Sequence, residues 1–508
     1  MSSAEPLGGE RKSRRQFLRG AGGLAGAAAL GGGALAAGRL IGAARPGPPG
    51  RLLAAAPPDP ARTFHSRPQL HPAALSIAAS GALADGYLFL GPGAEGQIQA
   101  GPLIADNDGE PVWFRPRSDV WVSNFRSFSY LDDPVLTWWE GVVVVPIGYG
   151  RGTGVIVDRS YRHQARIRPV GGAPMDMHEL RLTPEGTALF TCYPRWVRAD
   201  LSAVGGPRDG RVLESVFQEV DVRNGRLLLE WRSLEHVPVQ ESYEPLQDPY
   251  DYLHLNSIAV APDGNLLVSG RHTWTVYKLD RASGQVIWRL GGKRSDFGLS
   301  PDARFSWQHD AEQPSERVLT VFDNGYDGHT KTEPRSRGMV LELDEARRTA
   351  RLAQAFYHSS PLLASAMGSV QILPDGHVLV GWGSQPYVGE FAADGRVLAD
   401  VRLAHGQQCY RSYRLPWIGQ PHRAPAIRAT RHPHSGTGTL YASWNGATEL
   451  ASWQVHAGAR PSDLRPVGAV RRQGFETVIP VDGASGYAAV SALDATGRQL
   501  RRSRTIRL

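Results

Sequence analysis

A pattern that recurs along the chain constrains the fold more than any composition does. Leu255 to Gly270 alternates apolar and polar residues across an Asp263-Gly264 turn, and Val276 to Arg289 repeats the alternation across Ala282-Ser283-Gly284 and closes on Ile287-Trp288. Alternation with period two, broken by turn residues, is the mark of a β-hairpin. Two such hairpins in tandem make four short antiparallel strands in about forty residues, the size of one β-propeller blade.

The second, outer hairpin of this unit is found six times, at residues 103–114, 154–169, 216–232, 275–290, 339–356 and 387–403. Inner hairpins are visible at 178–193, 255–270, 313–325 and 368–383, with 87–92 and 142–150 as candidates for the first two units. Six copies predict an all-β protein built on a six-bladed propeller. A ring of five or seven units is the neighbouring solution, and an irregular all-β protein with generic hairpins is the plain alternative.

The rest of the chain is read around that ring. Residues 1–56 carry a twin-arginine motif, Ser13-Arg14-Arg15-Gln16-Phe17-Leu18-Arg19, followed by a weakly apolar Gly/Ala stretch. That is an export signal, with Ala54-Ala55-Ala56 as one cleavage site and an uncleaved membrane anchor as the alternative. It predicts an extracytoplasmic protein, secreted or anchored. Residues 57–74 form a Pro-rich linker, 75–435 the propeller, and 436–508 a small C-terminal β-sandwich resembling fibronectin type III or immunoglobulin modules. Gly (58) and Pro (37) are abundant, as many turns require. The formal charge of +7 is concentrated at the front: residues 1–56 hold eight basic and two acidic residues, a net of +6, so the remainder is near +1. No basic stripe is left to grip nucleic acid. The two cysteines, Cys192 and Cys409, enter an oxidising compartment under this reading, where a disulfide between them is permitted and two buried thiols are the alternative.

Three histidines stand in register. His254 and His309 lie at the starts of the first strands of consecutive units, and His178, in Met175-Asp176-Met177-His178-Glu179, occupies the equivalent place one unit earlier. First strands of a propeller line its channel, so these imidazoles should converge where proton or group transfer is feasible. Arg271 and Arg337 are the candidate anion holders, because a guanidinium offers a planar fork to sulfate, phosphate or carboxylate; an ion pair between units is the bland reading of Arg271. Asp323-Asn324-Gly325 reads as a turn. There is no G-x-S-x-G elbow, H-E-x-x-H, C-x-x-C or G-K-[ST] phosphate loop, which removes several hydrolase, zinc and dithiol chemistries; no metal or cofactor is implied.

His254-Leu255-Asn256-Ser257-Ile258, the run from Gly284 through Ile287-Trp288-Arg289-Leu290-Gly291-Gly292, Gln308-His309-Asp310, Phe322-Asp323-Asn324-Gly325, Ser336-Arg337-Gly338, Gly368-Ser369-Val370-Gln371 and Tyr410-Arg411-Ser412-Tyr413-Arg414 with Trp417 together resemble the arylsulfotransferase family, over about residues 170 to 425. The resemblance implies a site at the mouth of the propeller channel. It implies transfer of a sulfuryl group from a phenolic sulfate ester to a phenol through a transiently sulfated histidine, without a nucleotide sulfate donor. It matches His254 and His309 to active-site histidines of the family and Arg337 to its sulfate-binding arginine; with His178, in register with them, these are the candidate catalytic residues, and Arg271, Asn256 and Asn324 the candidate substrate-binding residues. The chain departs from the family at one point: the sulfated histidine falls near Met367-Gly368-Ser369, which holds none, and His358 is the nearest upstream. A second expectation therefore stands, an inactive propeller that binds an anionic or aromatic ligand or a surface partner. The oligomeric state is not written in the sequence.

Overall fold

The computed structural model describes residues 61–508 except 95, 118, 145–146, 194, 405, 432–436 and 482–485. The twin-arginine segment and the first residues of the Pro-rich stretch lie outside the described residues. The protein is all-β, with antiparallel sheets and only four short 3-10 turns as helix among the described residues. No helix in this region is long and apolar enough to cross a membrane.

Six sheets of four or five strands follow one another along the chain. The second runs through Trp121–Tyr130, Asp133–Val144, Tyr149–Val157 and His163–Ile167. The third takes Leu180–Leu182, Thr187–Thr191, Val216–Asp221 and Leu227–Arg232, and carries an inserted hairpin, Arg195–Ala199 with Gly210–Glu214. The fourth is Leu255–Val260, Leu266–Gly270, Thr275–Leu279 and Val286–Gly291. The fifth is His309–Ser315, Val318–Asp323, Arg337–Asp344 and Thr349–Phe356. Each outer hairpin expected from the alternation is an antiparallel pair, since a period-two pattern with a turn residue at its centre settles strand pairing locally.

The first and sixth sheets depend on the chain ends. The sixth, Ser369–Ile372, Val378–Gly381, Tyr387–Phe391 and Val397–Leu403, gains Leu75–Ala79 on its outer edge, with Leu75 opposite Leu403. The first, Tyr87–Leu90, Leu103–Ala105 and Pro111–Phe114, takes its innermost strand from Tyr413–Leu415, with Phe89 opposite Tyr413. Residues 87–92 are thus the second strand of their sheet, and residues 142–150 span the end of one strand and the start of the next, not an inner hairpin.

Apolar side chains fill the spaces between consecutive sheets. Leu189, Phe217 and Trp231 of the third meet Leu255, Ile258 and Tyr277 of the fourth. Ala259, Val276 and Trp288 of the fourth meet Leu319, Val321 and Met339 of the fifth. Phe322 and Phe356 pack on Val370, Val380 and Trp382, and Leu379 and Val401 of the sixth pack on Leu88 and Leu103 of the first. Each sheet is therefore apolar on both faces, which only a neighbour on either side can satisfy.

Beyond residue 425 two further sheets enclose their own core, with Trp453, Leu440 and Val490 at its centre. Residues 61–74 run between this unit and the six sheets: Phe64 packs on Phe475 at 4.3 Å between ring centroids, and His65 stacks on Tyr441 at 4.0 Å.

The cysteines do not pair. Both are free and buried, Cys192 in the core shared by the first three sheets and Cys409 in the core between the sixth and the first. Burial pushes both thiols up, Cys409 to about 12, so they act as small apolar residues. Of the two readings left open by the sequence, the structure has the two buried thiols and not the disulfide.

Candidate functional site

The site is assembled from the heads of innermost strands. His254 immediately precedes Leu255–Val260, His309 opens His309–Ser315, and His178 lies two residues before Leu180–Leu182. The corresponding places are held by Ser123 and Asn124 in the second sheet, Met367 in the sixth and Tyr410 in the first. Three of these residues sit at positive φ without being glycine, Asn124 (53°), His254 (53°) and Met367 (70°), and so does Asp310 (58°), next to His309. Such conformations cost about 1–3 kcal/mol each and persist only where the surroundings impose them. Next to Met367, Gly368 (φ 120°) has no room for a Cβ, which would come within 2.1 Å of the Phe322 ring.

The histidines are packed together. The His178 and His254 rings stand edge to face with centroids 4.9 Å apart, and His254 lies 4.7 Å from a fourth imidazole, His272. Tyr193 (5.4 Å from His254) and Tyr410 (6.0 Å from His178) close the cluster. Each ring is fixed through Nδ1. His178 Nδ1 meets Asp176 at 2.5 Å, His254 Nδ1 meets Asp251 at 2.8 Å, and His309 Nδ1 meets Asn324 Oδ1 at 2.6 Å. The last contact has one reading. Asn324 Nδ2 donates to the carbonyls of Ala364 (2.9 Å) and Met367 (3.0 Å), so its oxygen must face His309, and His309 Nδ1 must carry the hydrogen. Among the described residues no partner reaches the Nε2 atoms of these three rings, and none of the three atoms is sealed from solvent.

Burial holds His309 and His254 well below the ordinary imidazole value. For His309 the charge of Arg271 adds to burial, with the Asn324 bond acting the other way; for His254, His178 and Arg271 add to it. Both rings are therefore neutral, with a lone pair on Nε2.

Arg271 is the guanidinium of this cluster. It is buried, donates to His272 Nε2 (2.8 Å) and to the Ser365 carbonyl (3.1 Å), and has no carboxylate within ion-pair distance among the described residues. Arg337 stands elsewhere in its bonding. It donates to Asp323 (2.9 Å), directly across the strand pair, to the Arg304 carbonyl (2.8 Å) and to Glu333. The structure brings His178, His254, His309 and Arg271 together and commits Arg337 to Asp323. Asn256 spans two sheets, donating to the Gln308 carbonyl at 2.7 Å. Asn324 is a positioning residue for His309 and not the simple turn read from Asp323-Asn324-Gly325. His358 is bonded to Asp400 (3.2 Å) and packed against Tyr387 and Trp382, with no contact to the cluster.

Beside the histidines runs a buried network of charge. Arg126 and Arg411 grip the two oxygens of Glu179 at 2.5 and 2.9 Å, and Arg411 also bonds Asn124 (2.7 Å) and the Asn256 carbonyl (3.1 Å). Arg181 pairs with Glu312, and Asp310 accepts from the Val370 amide at 2.9 Å. Burial pushes Glu179 up, but Arg411, Arg126 and Arg181 outweigh it and hold the carboxylate below its usual range. Glu312, with Arg181 only partly offsetting its burial, is pushed up to about 7. These contacts tie the second to sixth sheets, and Arg411 of the segment before Tyr413–Leu415, to one another.

Asp251, His254 and His272 put three potential ligand atoms within 4.8 Å of one another. The hydrogen bonds use them otherwise. His272 Nδ1 donates to the Asp251 carbonyl (2.6 Å) while its Nε2 accepts from Arg271, so neither nitrogen offers a lone pair, and a cation would meet the Arg271 charge. The group is a hydrogen-bond network. Sequence reading did not single out Asp176, Asp251, Tyr193, His272, Tyr410 or Arg411 for the site. His272 directly follows Arg271, and Asp176 and Asp251 lie two and three residues before their histidines, a spacing that could have pointed to them.

Comparison with known proteins places this geometry in a family. The profile of the arylsulfotransferase (ASST) family matches residues 129–404, more than half of the chain, and the protein belongs to that family. None of the curated proteins matches it. Among solved structures it is similar to a protein of unknown function from Bacteroides caccae (14% identity, 65% of this chain and 98% of that one, TM-score 0.39). It is also similar to virginiamycin B lyase from Staphylococcus aureus (9%, 73% and 96%, TM-score 0.29) and to the Malassezia sympodialis allergen Mala s 1 (10%, 63% and 86%, TM-score 0.33). Likenesses this loose carry no weight for fold or activity.

Proposed function

We propose that the six sheets are the blades of a propeller, with the C-terminal pair of sheets a sandwich appended to it, and that the histidine cluster transfers sulfuryl groups between phenols. The observation that carries the reading is the set of three imidazoles, each held at Nδ1 and open at Nε2, beside a buried guanidinium with no carboxylate of its own. Arg271 grips the sulfuryl oxygens of an aryl sulfate. His309, kept neutral and turned by Asn324, attacks sulfur through Nε2; the N–S bond forms as the S–O(aryl) bond breaks. The aryl oxygen departs as phenolate, its charge facing Arg271, and the base for the next phenol is the Nε2 lone pair of His254, whose Nδ1 is backed by Asp251 and lies 3.4 Å from the Tyr193 hydroxyl. A second phenol, deprotonated by the same group, then accepts the sulfuryl group from His309. Developing charge on the sulfuryl oxygens falls on Arg271. The twin-arginine motif supports export of the folded protein to an extracytoplasmic site. Substrates of this reaction are small phenols and their sulfate esters.

One observation favours the second reading, an anion-binding propeller without transfer: Met367 occupies the strand head where the family's nucleophile is expected. Incubation with 4-nitrophenyl sulfate, with and without a second phenol, separates the two. Phenol-dependent release of nitrophenolate, lost in His309→Ala, and a mass increment of one SO3 group on the peptide containing His309 are expected. Tight binding of aryl sulfate with no release for any phenol overturns transfer.

A further inference from the structure

A cluster of arginines lies at the junction of the six sheets and the C-terminal unit. A cavity of about 310 Å³ opens there, lined by residues of the first and second sheets, the 67–70 segment, residues 421–423 and residues 444–445. Three of its lining residues are Arg67, Arg115 and Arg423, and none makes an ion pair among the described residues. Arg67 keeps a buried Nε with no partner. Glu140, the carboxylate whose charge acts on Arg115, is already shared by Arg117 (2.7 Å) and Arg166 (3.3 Å). Burial lowers Arg67 and Arg115 further, and neighbouring guanidiniums add to it, Arg423 and Arg504 for the first and Arg117 for the second. Like charges gathered without a counterion are stabilised when an anion enters.

The other walls are rings. Trp113 stacks on Tyr161 at 4.8 Å, and Trp444 donates to the Arg423 carbonyl at 2.7 Å. The volume is at the low end of small-molecule pockets, which run from about 300 Å³, and well above what a bare tetrahedral anion fills. We infer that this cavity binds a ring-bearing oxyanion, an aryl or sugar ester of sulfate or phosphate, through Arg67, Arg115 and Arg423. The site is separate from the histidine cluster and does not depend on the activity proposed for it.

Calorimetric titration of the full chain with 4-nitrophenyl sulfate, 4-nitrophenyl phosphate, inorganic sulfate and inorganic phosphate tests this. The aryl esters should fill a site that survives Arg271→Gln. Arg423→Gln, at an exposed position where folding is not in question, and Arg67→Gln should each weaken that site about tenfold. Release of nitrophenolate at the histidine cluster should be unchanged in Arg423→Gln. The relative affinity of the sulfate and phosphate esters identifies the anion. Unchanged binding in both variants, or no site beyond the one that Arg271→Gln removes, overturns the assignment. Equal affinity for esters and bare anions overturns the ring.

Discussion

Asn324 Oδ1 stands 2.6 Å from His309 Nδ1, and two carbonyls hold the amide in that orientation. The consequence is chemical: the imidazole hydrogen is placed on Nδ1 and the lone pair on Nε2. Asn324→Ala should leave His309 free to rotate and to change tautomer. A loss of about 10–100-fold in kcat with little change in KM is expected, the range for removing a group that orients a reacting imidazole. Asn324→Asp should instead raise the acid limb of the pH profile, because a carboxylate stabilises the imidazolium. An unchanged kcat in both variants would refute the positioning role.

The two arginines read alike in the sequence should differ in the laboratory. Arg271→Gln is expected to abolish binding of aryl sulfate at the histidine cluster and to leave the fold intact. Arg337→Gln strands Asp323, whose carboxyl is already pushed up to about 6 by burial despite Arg337. Breaking a buried pair from one side costs about 3–5 kcal/mol, so its denaturation midpoint should fall sharply. Urea unfolding and single-turnover kinetics of the two variants, side by side, decide this.

The pH profile follows from the direction of the imidazole shifts. A lowered value keeps the ring neutral to lower pH, so the nucleophilic form of His309 persists below the ordinary value of about 6.5. The acid limb of kcat/KM for 4-nitrophenyl sulfate should therefore lie below pH 6.5. His272, lowered to about 4 mainly by burial, should stay neutral throughout and contribute no limb above that pH. An acid limb at or above pH 6.5 would contradict the environment described for His309.

The buried network gives a stability test. Arg411→Met removes one of the guanidiniums on Glu179 and the donor to Asn124 Oδ1. A cost of about 3–5 kcal/mol is expected, since the remaining carboxylate stays buried. Glu179→Gln combined with Arg411→Met should recover part of it. A double variant no better than the single one would show that the pair does not act as a unit.

The thiols offer the simplest check. With no reductant present, a thiol reagent should label neither Cys192 nor Cys409 in the native protein and both in denaturant. Labelling of neither in denaturant would mean a disulfide.

Much of the architecture could be read from local pattern. Hairpins such as 275–290 announce themselves because apolar alternation and a central turn act over a dozen neighbouring residues. The histidines could be singled out because each stands at the head of an innermost strand. Their partners could not. Asp323 meets Arg337 only because strand register puts them opposite, and Tyr413–Leu415 joins the first sheet only because the chain comes back to it some three hundred residues later.

By itself, then, the sequence determined an all-β chain of repeated hairpins with imidazoles at equivalent places, because alternation and turn chemistry are properties of neighbouring residues. The tertiary structure decided which guanidinium remains unpaired beside those imidazoles, which nitrogen of His309 carries the proton, and that Cys192 and Cys409 lie in separate cores. Those outcomes depend on which side chains meet across sheets, and burial then turns each meeting into a fixed charge or a fixed tautomer.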